Sequence, residues 1–355
     1  MTDFANVLTA LAVQSGVCAQ MGSPFSARVL GCVRDDVERG GPFAGFFRAW
    51  EGVGVRGLMD EAVSLRILGG LQHLVLSGAD ARLATVYPAS GVAADDATLA
   101  SALIAAAERH HDILLAFMAS PPQTNEVRRS ICLIGGYLAL ARRTGLPLRC
   151  LEIGASAGLN MNWDHYHYDF GQGRTWGDSA SPLHLDADWE GGAPQLDVAV
   201  TVVEKRGCDQ NPIDVMDDAL VQRLEAYVWP DQPDRLARLR AAIALARVTD
   251  NPIDKADAAA WVAAHARPVE GVASVVVHSV VWSYLPPETQ AQVAASIRAA
   301  GDSASASAPF AWLRMEPDPD NQAEMQVRLS VWPSGDEILL ARAHPHGAKV
   351  IWLGE

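Results

Sequence analysis

The fold turns on one stretch, 148-LRCLEIGASAGLN-160. An apolar run that carries the carboxylate of Glu152 reaches Gly154, and the small residues Ala155, Ser156, Ala157 and Gly158 follow. A short apolar run closed by a glycine-rich turn is the pattern of a buried strand. The turn itself has two readings. Ser156 stands on a strained strand-to-helix bend as a nucleophile, or Glu152 and the turn amides hold a nucleotide-like ligand at the start of the next helix.

The flanking sequence narrows the choice. Residues 1–145 read as successive helices: Ser23 and Pro24 form an N-cap and N1 pair, LRILGGLQHLVLSG closes a helix at Gly78, and Asp95 or Asp96 caps another running through Phe117. His110 and His111 are adjacent there and cannot share a helix face. From Leu148 the texture changes. LRCLEI, LDVAVTVVE, ASVVVHSVV and APFAWLRME read as buried strands, separated by DRLARLRAAIALAR and PETQAQVAASIRAA as helices. That alternation predicts a doubly wound, mostly parallel sheet. MQVRLSVW, PSGD and EILLARAH predict a terminal antiparallel hairpin, and residues 166–190 a polar, β-rich insertion. The expected architecture is α/β: a helical cap domain over 1–145, then a Rossmann-like sheet over 146–355. Ser156 then follows the first strand, where doubly wound sheets carry ligand-binding loops. An elbow serine of an α/β hydrolase follows several strands and an upstream oxyanion loop, and neither is present.

Composition bounds the ligand. Lys and Arg number 28 against 42 Asp and Glu, a formal charge of −14, and the basic doublets Arg128–Arg129 and Arg142–Arg143 build no stripe. Nucleic-acid affinity rests on cations neutralising phosphates, so a small-molecule substrate is expected instead. The 5 cysteines are scattered without a Cys-x-x-Cys pair, which points to neither a disulfide framework nor a thiolate metal site and fits a reducing cytoplasm. No apolar run reaches the ~18 residues of a membrane span, and the N-terminus lacks a basic leader.

At Glu152, Gly154, Ala155, Ser156 and Gly158 the sequence resembles the first motif of class I S-adenosylmethionine-dependent methyltransferases, with Ser156 in place of the middle glycine. The downstream order is similar. Asp209 in EKRGCDQNP matches the acidic residue that this resemblance puts on the ribose, and Asp257 in NPIDKADAAAW the one near the adenine. VVVHSVVWSYLP, around His278, resembles the segment facing the methyl group and its acceptor. Asp209 lies unusually far from the loop, however, so Asp169 or Asp178 is an alternative, and Asp209 is otherwise a turn cap before Asn211 and Pro212.

Over nearly its whole length the chain also resembles an uncharacterised bacterial family, domain of unknown function 2332. LQHLVLSG (71–78), VYPASG (86–91), PPQTNEVRRS (121–130), LEIGASAGLN (151–160), GCDQNPIDV (207–215) and VWPDQPDRLARL (228–239) carry this resemblance. It supplies no reaction.

The expected function is methyl transfer from S-adenosylmethionine to a small acceptor. Glu152, Gly154, Ala155, Ser156, Gly158, Asp209 and Asp257 hold the cofactor, and Asn125, Glu126 and His278 orient or deprotonate the acceptor. Two alternatives stand beside it: a non-catalytic nucleoside-binding sensor or assembly protein, and a serine hydrolase using Ser156 with His278 or His344. WDHYHYDF suggests a metal face of His165, His167 and Asp169 if it is one strand, but polar alternation on an edge strand gives the same pattern, and no metal is expected.

Overall fold

The computed structural model describes residues 4–91, 93–321 and 324–354. The chain divides into two compact units, Met1–Thr124 with Met216–Ala237, and Asn125–Val215 with Arg238–Glu355.

The first unit is helical. Ser23 caps the helix Pro24–Glu38, accepting from the Ser26 amide, and also bonds Asp231, whose other oxygen takes the Phe25 amide at 2.8 Å. The segment 216–237 is thereby tied to this unit. Asp95, not Asp96, caps the next predicted helix. That helix breaks at His110 into Asp96–Arg109 and His111–Met118. Asp80 takes Arg109 at 2.6 Å and His110 at 3.1 Å, while His111 packs against Phe46. Both histidines are accounted for within the helical packing. Leu11, Leu30, Phe43, Phe47, Ile67 and Leu71 lie at the centre of this core.

The second unit is built on Leu148–Ile153 (β1), His167–Asp169 (β2), Thr175–Trp176 (β3), His184–Asp186 (β4), Asp188–Gly191 (β5), Val202–Asp209 (β6), Ile253–Lys255 (β7), Ala273–Ser279 (β8), Phe310–Pro317 (β9), Met325–Trp332 (β10), Asp336–Ala343 (β11) and Lys349–Trp352 (β12). Among the described residues nine of these form one mostly parallel sheet, ordered β5-β12-β11-β10-β9-β8-β1-β6-β7. The run β7-β6-β1-β8-β9 is parallel throughout. β9, β10, β11 and β12 then meander antiparallel, including the hairpin expected from sequence. The helices Ala258–His265 and Pro287–Asp302 cover one face through Leu151, Ile153, Val276 and Trp312. The helix Ser130–Thr144 packs against β8 to β11. Its paired glycines set that approach: a Cβ at Gly135 would lie 2.3 Å from the Trp352 ring, and one at Gly136 equally close to Leu313.

Three local expectations change. LDVAVTVVE becomes a strand only from Val202, because β1 begins at Leu148, which pairs with Val202, and offers nothing earlier to pair with. No α-helix follows the glycine loop; residues Leu159–His165 form a 3₁₀ segment kinked at Asn162. Tyrosine hydroxyls replace the amides that an α-helix would have aimed at its carbonyls: Tyr166 donates to Leu159 O, and Tyr168 to Trp163 O at 2.7 Å. His165 ends that segment rather than joining β2, so it does not alternate with His167 and Asp169 on one strand. Residues 166–190 carry β2, β3 and β4, which form a separate small sheet, as the polar insertion implied.

Candidate functional site

β1 is buried along its whole length, and its last polar side chain, Glu152, pairs in register with Val277 on one side and Gly207 on the other. Gly207 has to be glycine, since a Cβ there would lie 2.7 Å from the Ala155 Cβ. Glu152 is 5% exposed and accepts no hydrogen bond or ion pair among the described residues. Lys205, which shares its face of the sheet, is paired with Asp164 at 2.6 Å. Burial first, and the Asp209 carboxylate second, push the Glu152 carboxyl from its ordinary 4.5 up to about 8. At neutral pH it is a buried, mostly protonated acid.

The loop after β1 alternates through the left-handed region, with φ of +67° at Gly154, +54° at Ser156 and +68° at Gly158. Two of these positions are glycine because that region suits no other residue well. Ser156 is held there against the strain: its amide donates to Asp209 Oδ2 at 2.9 Å, and its carbonyl accepts from the Ile213 amide at 3.0 Å. The Ala155 amide donates to Cys208 O, the Gly158 amide to Ala155 O at 2.7 Å, and the Leu159 amide to Asn125 Oδ1 at 3.1 Å. The expected cradle of unpaired amides at a helix N-terminus is therefore absent on two counts: the helix does not form, and these amides are bonded within the chain. Side chains also fill the space beside the glycines. A Cβ at Gly154 would lie 2.3 Å from Val281, and one at Gly158 2.8 Å from Ile253 and Met161. What the loop presents beyond its backbone is the Ser156 hydroxyl, buried without a hydrogen-bond partner among the described residues.

Asn125 and Glu126 come together with this loop. Besides Asn125 on the Leu159 amide, Asn160 Oδ1 accepts from Ser130 Oγ at 2.8 Å, and its amide nitrogen donates to Glu126 O at 3.4 Å. Glu126 is 5% exposed, and its Oε1 caps the Arg128 amide. Asp209 closes the other side, its Oδ1 accepting the Asn211 amide at 2.8 Å. Its two oxygens thus fix a turn and the Ser156 conformation, the turn-capping role weighed from sequence. Asp257 caps the helix Ala258–His265, taking the amides of Ala259 and Ala260 on Oδ1. Asp169 and Asp178 each cap a local turn in the insertion.

His278 is not brought to Glu152. Alternation along β8 puts it with Val276 on the face of Leu151, Ile153 and Trp312, whereas Glu152 projects from the opposite face. Both its ring nitrogens are engaged. Trp312 Nε1–H donates to Nε2 at 3.0 Å, so Nδ1 carries the proton and donates to Glu316 Oε1 at 2.6 Å. Glu316 also accepts the amides of Val281 and Trp282, at 3.1 and 3.2 Å. The pair thereby fixes the turn after β8, in which Val280 adopts φ +53°, a costly conformation for a β-branched residue. Its role in these contacts is to position that turn, and with it Val281 against Gly154.

Sequence reasoning missed Asn160, Ser130, Gly207 and the Glu316 partner of His278. Asn160 and Ser130 stood inside quoted motifs, but only the tertiary pairing gives them a task.

A family model described as an uncharacterized protein conserved in bacteria (DUF2332) matches residues 9–352. The chain belongs to this family. No curated protein and no solved structure matches it. Among the described residues of this DUF2332 chain, no group of three or more His, Cys, Asp or Glu side chains is placed to hold a metal ion, and no helix is long and apolar enough to cross a membrane.

Proposed function

We propose that this protein binds S-adenosylmethionine at the carboxyl end of β1 and transfers its methyl group to a small acceptor. One observation carries the reading: Glu152 is a buried carboxyl that meets no hydrogen-bond partner among the described residues, at the end of the middle strand of the parallel run and beside the strained loop. A cationic ligand group, such as the ammonium or sulfonium of that cofactor, would supply the charge the protein withholds. The strand order adds support. Successive strands run from β1 to β6 to β7 on one side and from β8 to β9 on the other, so the order reverses at β1 and β8. Open α/β sheets bind ligands at such a switch point. In this reading Glu152 and Ser156 act through their side chains, Asp209 holds the loop, and Asn125 and Glu126 border the site. Methyl transfer is an in-line displacement that needs chiefly positioning, so it demands no strongly marked base.

The alternative of a binder without turnover draws on a specific observation, the commitment of both His278 nitrogens to Trp312 and Glu316. The hydrolase alternative has no such support, since Ser156 Oγ bonds no imidazole among the described residues. Titration calorimetry with S-adenosylmethionine and S-adenosylhomocysteine tests the proposal. Binding of both that weakens at least about tenfold in Glu152→Gln is expected; binding of neither overturns it.

A further inference from the structure

The loop His344-Pro-His-Gly347 follows β11, which runs parallel to β1, so it emerges on the same carboxyl edge of the sheet. It is docked onto the segment 126–129. Arg129 Nε donates to Pro345 O at 3.0 Å, and the same guanidinium reaches Ser279 O, at the end of β8, at 3.4 Å. Gly347 has φ +68°, and a Cβ there would lie 2.5 Å from Arg128 O. Within the loop the His346 amide donates to His344 Nδ1 at 3.1 Å. A neutral imidazole that accepts at Nδ1 carries its proton at Nε2. Burial, and then Arg128, hold His344 below the usual histidine range, while Glu126 pulls weakly the other way. The ring is half-buried, and its Nε2–H meets no hydrogen-bond partner among the described residues.

We infer that His344 is a ligand-contacting residue of this site, presenting Nε2–H to a carboxylate on the acceptor. The inference rests on the proposed function for the word acceptor, but its geometry does not. A neutral imidazole with Nδ1 already occupied cannot take a proton from a substrate; it can only donate a hydrogen bond. Arg128 is paired with Asp186 at 3.3 Å, whereas the Arg129 guanidinium bonds the carbonyls of Pro345 and Ser279, and its charge beside the loop favours an anionic oxygen over a neutral one. The two halves of the site then differ in charge preference, with Glu152 and Asp209 suited to a cation and the His344 loop to a carboxylate.

Acetate is the probe, with acetamide as its uncharged counterpart, and the shifts of the His346 and Gly347 amides in NMR spectra of the full chain are the readout. Acetate is expected to shift these resonances saturably at millimolar concentrations, and acetamide at least about tenfold more weakly. His344→Leu should lose the acetate response. His344→Gln, whose amide nitrogen reaches about as far as Nε2, should recover part of it, which a purely structural role would not require. S-adenosylhomocysteine affinity should change by less than about threefold in both variants. Equal responses to acetate and acetamide, an undiminished acetate response in His344→Leu, or a proton found on Nδ1 of His344 in the unsubstituted protein would each overturn the inference. Should the acetate pattern hold while S-adenosylhomocysteine fails to bind, the His344 subsite stands and the cofactor reading falls.

Discussion

Replacing Glu152 by Gln should stabilise the protein, and increasingly so as pH rises. The Glu152 carboxyl titrates near 8 in the folded chain against an ordinary 4.5. Below the lower value both states are protonated, and the group contributes equally to each. Between the two values the unfolded chain is ionised while the folded one keeps its proton, so the folded state loses stability by up to about 1.4 kcal/mol per pH unit. Above the higher value the loss levels off. The accumulated loss is about 1 kcal/mol at pH 5 and about 3 kcal/mol at pH 7. Glutamine has nearly the same shape and does not ionise, so its variant escapes this loss. Urea unfolding followed by tryptophan fluorescence, at pH 5, 6, 7 and 8, gives the stability difference between variant and parent. That difference should widen by roughly 2 kcal/mol between pH 5 and 7. A gap constant with pH, or one that narrows, would refute the claim that Glu152 is buried uncharged.

Four further outcomes follow from the same contacts. Gly207→Ala drives a methyl into Ala155 and should cost about 1–3 kcal/mol of unfolding free energy. Gly154→Ala should cost more, since it adds a clash with Val281 to an unfavourable backbone angle; Val281→Ala in the same chain should recover the clash but not the backbone component, which a double-mutant cycle in urea resolves. Asp209→Ala removes a charged acceptor from the Ser156 and Asn211 amides and one cause of the raised Glu152 carboxyl, so it should lower stability by about 2 kcal/mol and move the Glu152 titration downward in carboxyl-carbon NMR. A fluorophosphonate probe should leave Ser156 unlabelled, because its hydroxyl has no imidazole to activate it.

The strands β1, β8 and β9 were readable because they are buried on both faces along most of their length. LRCLEI, ASVVVHSVV and APFAWLRME are near-continuous apolar runs; the first coincides with β1, the second runs two residues past the end of β8, and the third starts two residues before β9. Asp95 and Ser23 announced their helices because a cap is a local device. The missing helix after Gly158 was not readable, since it depends on Tyr166 and Tyr168 turning back onto carbonyls five to seven residues earlier. The placement of His278 was hidden for a related reason. Its strand was evident, but its face and its partner, Glu316, 38 residues away, are set by strand register and packing. Of the proposed site, the Glu152 carboxylate and the positive-φ loop were legible from their residues. The internal bonding of the loop amides was not, because their acceptors, Asp209, Cys208 and Asn125, come from neighbouring segments.

The central claim is that Glu152 waits, protonated, for a cation. Titration calorimetry with S-adenosylhomocysteine at pH 7, repeated in two buffers of different ionisation enthalpy, measures it directly by counting protons exchanged on binding. A carboxyl near pH 8 that ionises against the ligand ammonium should release close to one proton, about 0.9. Binding with no proton release, or with uptake, would contradict the account.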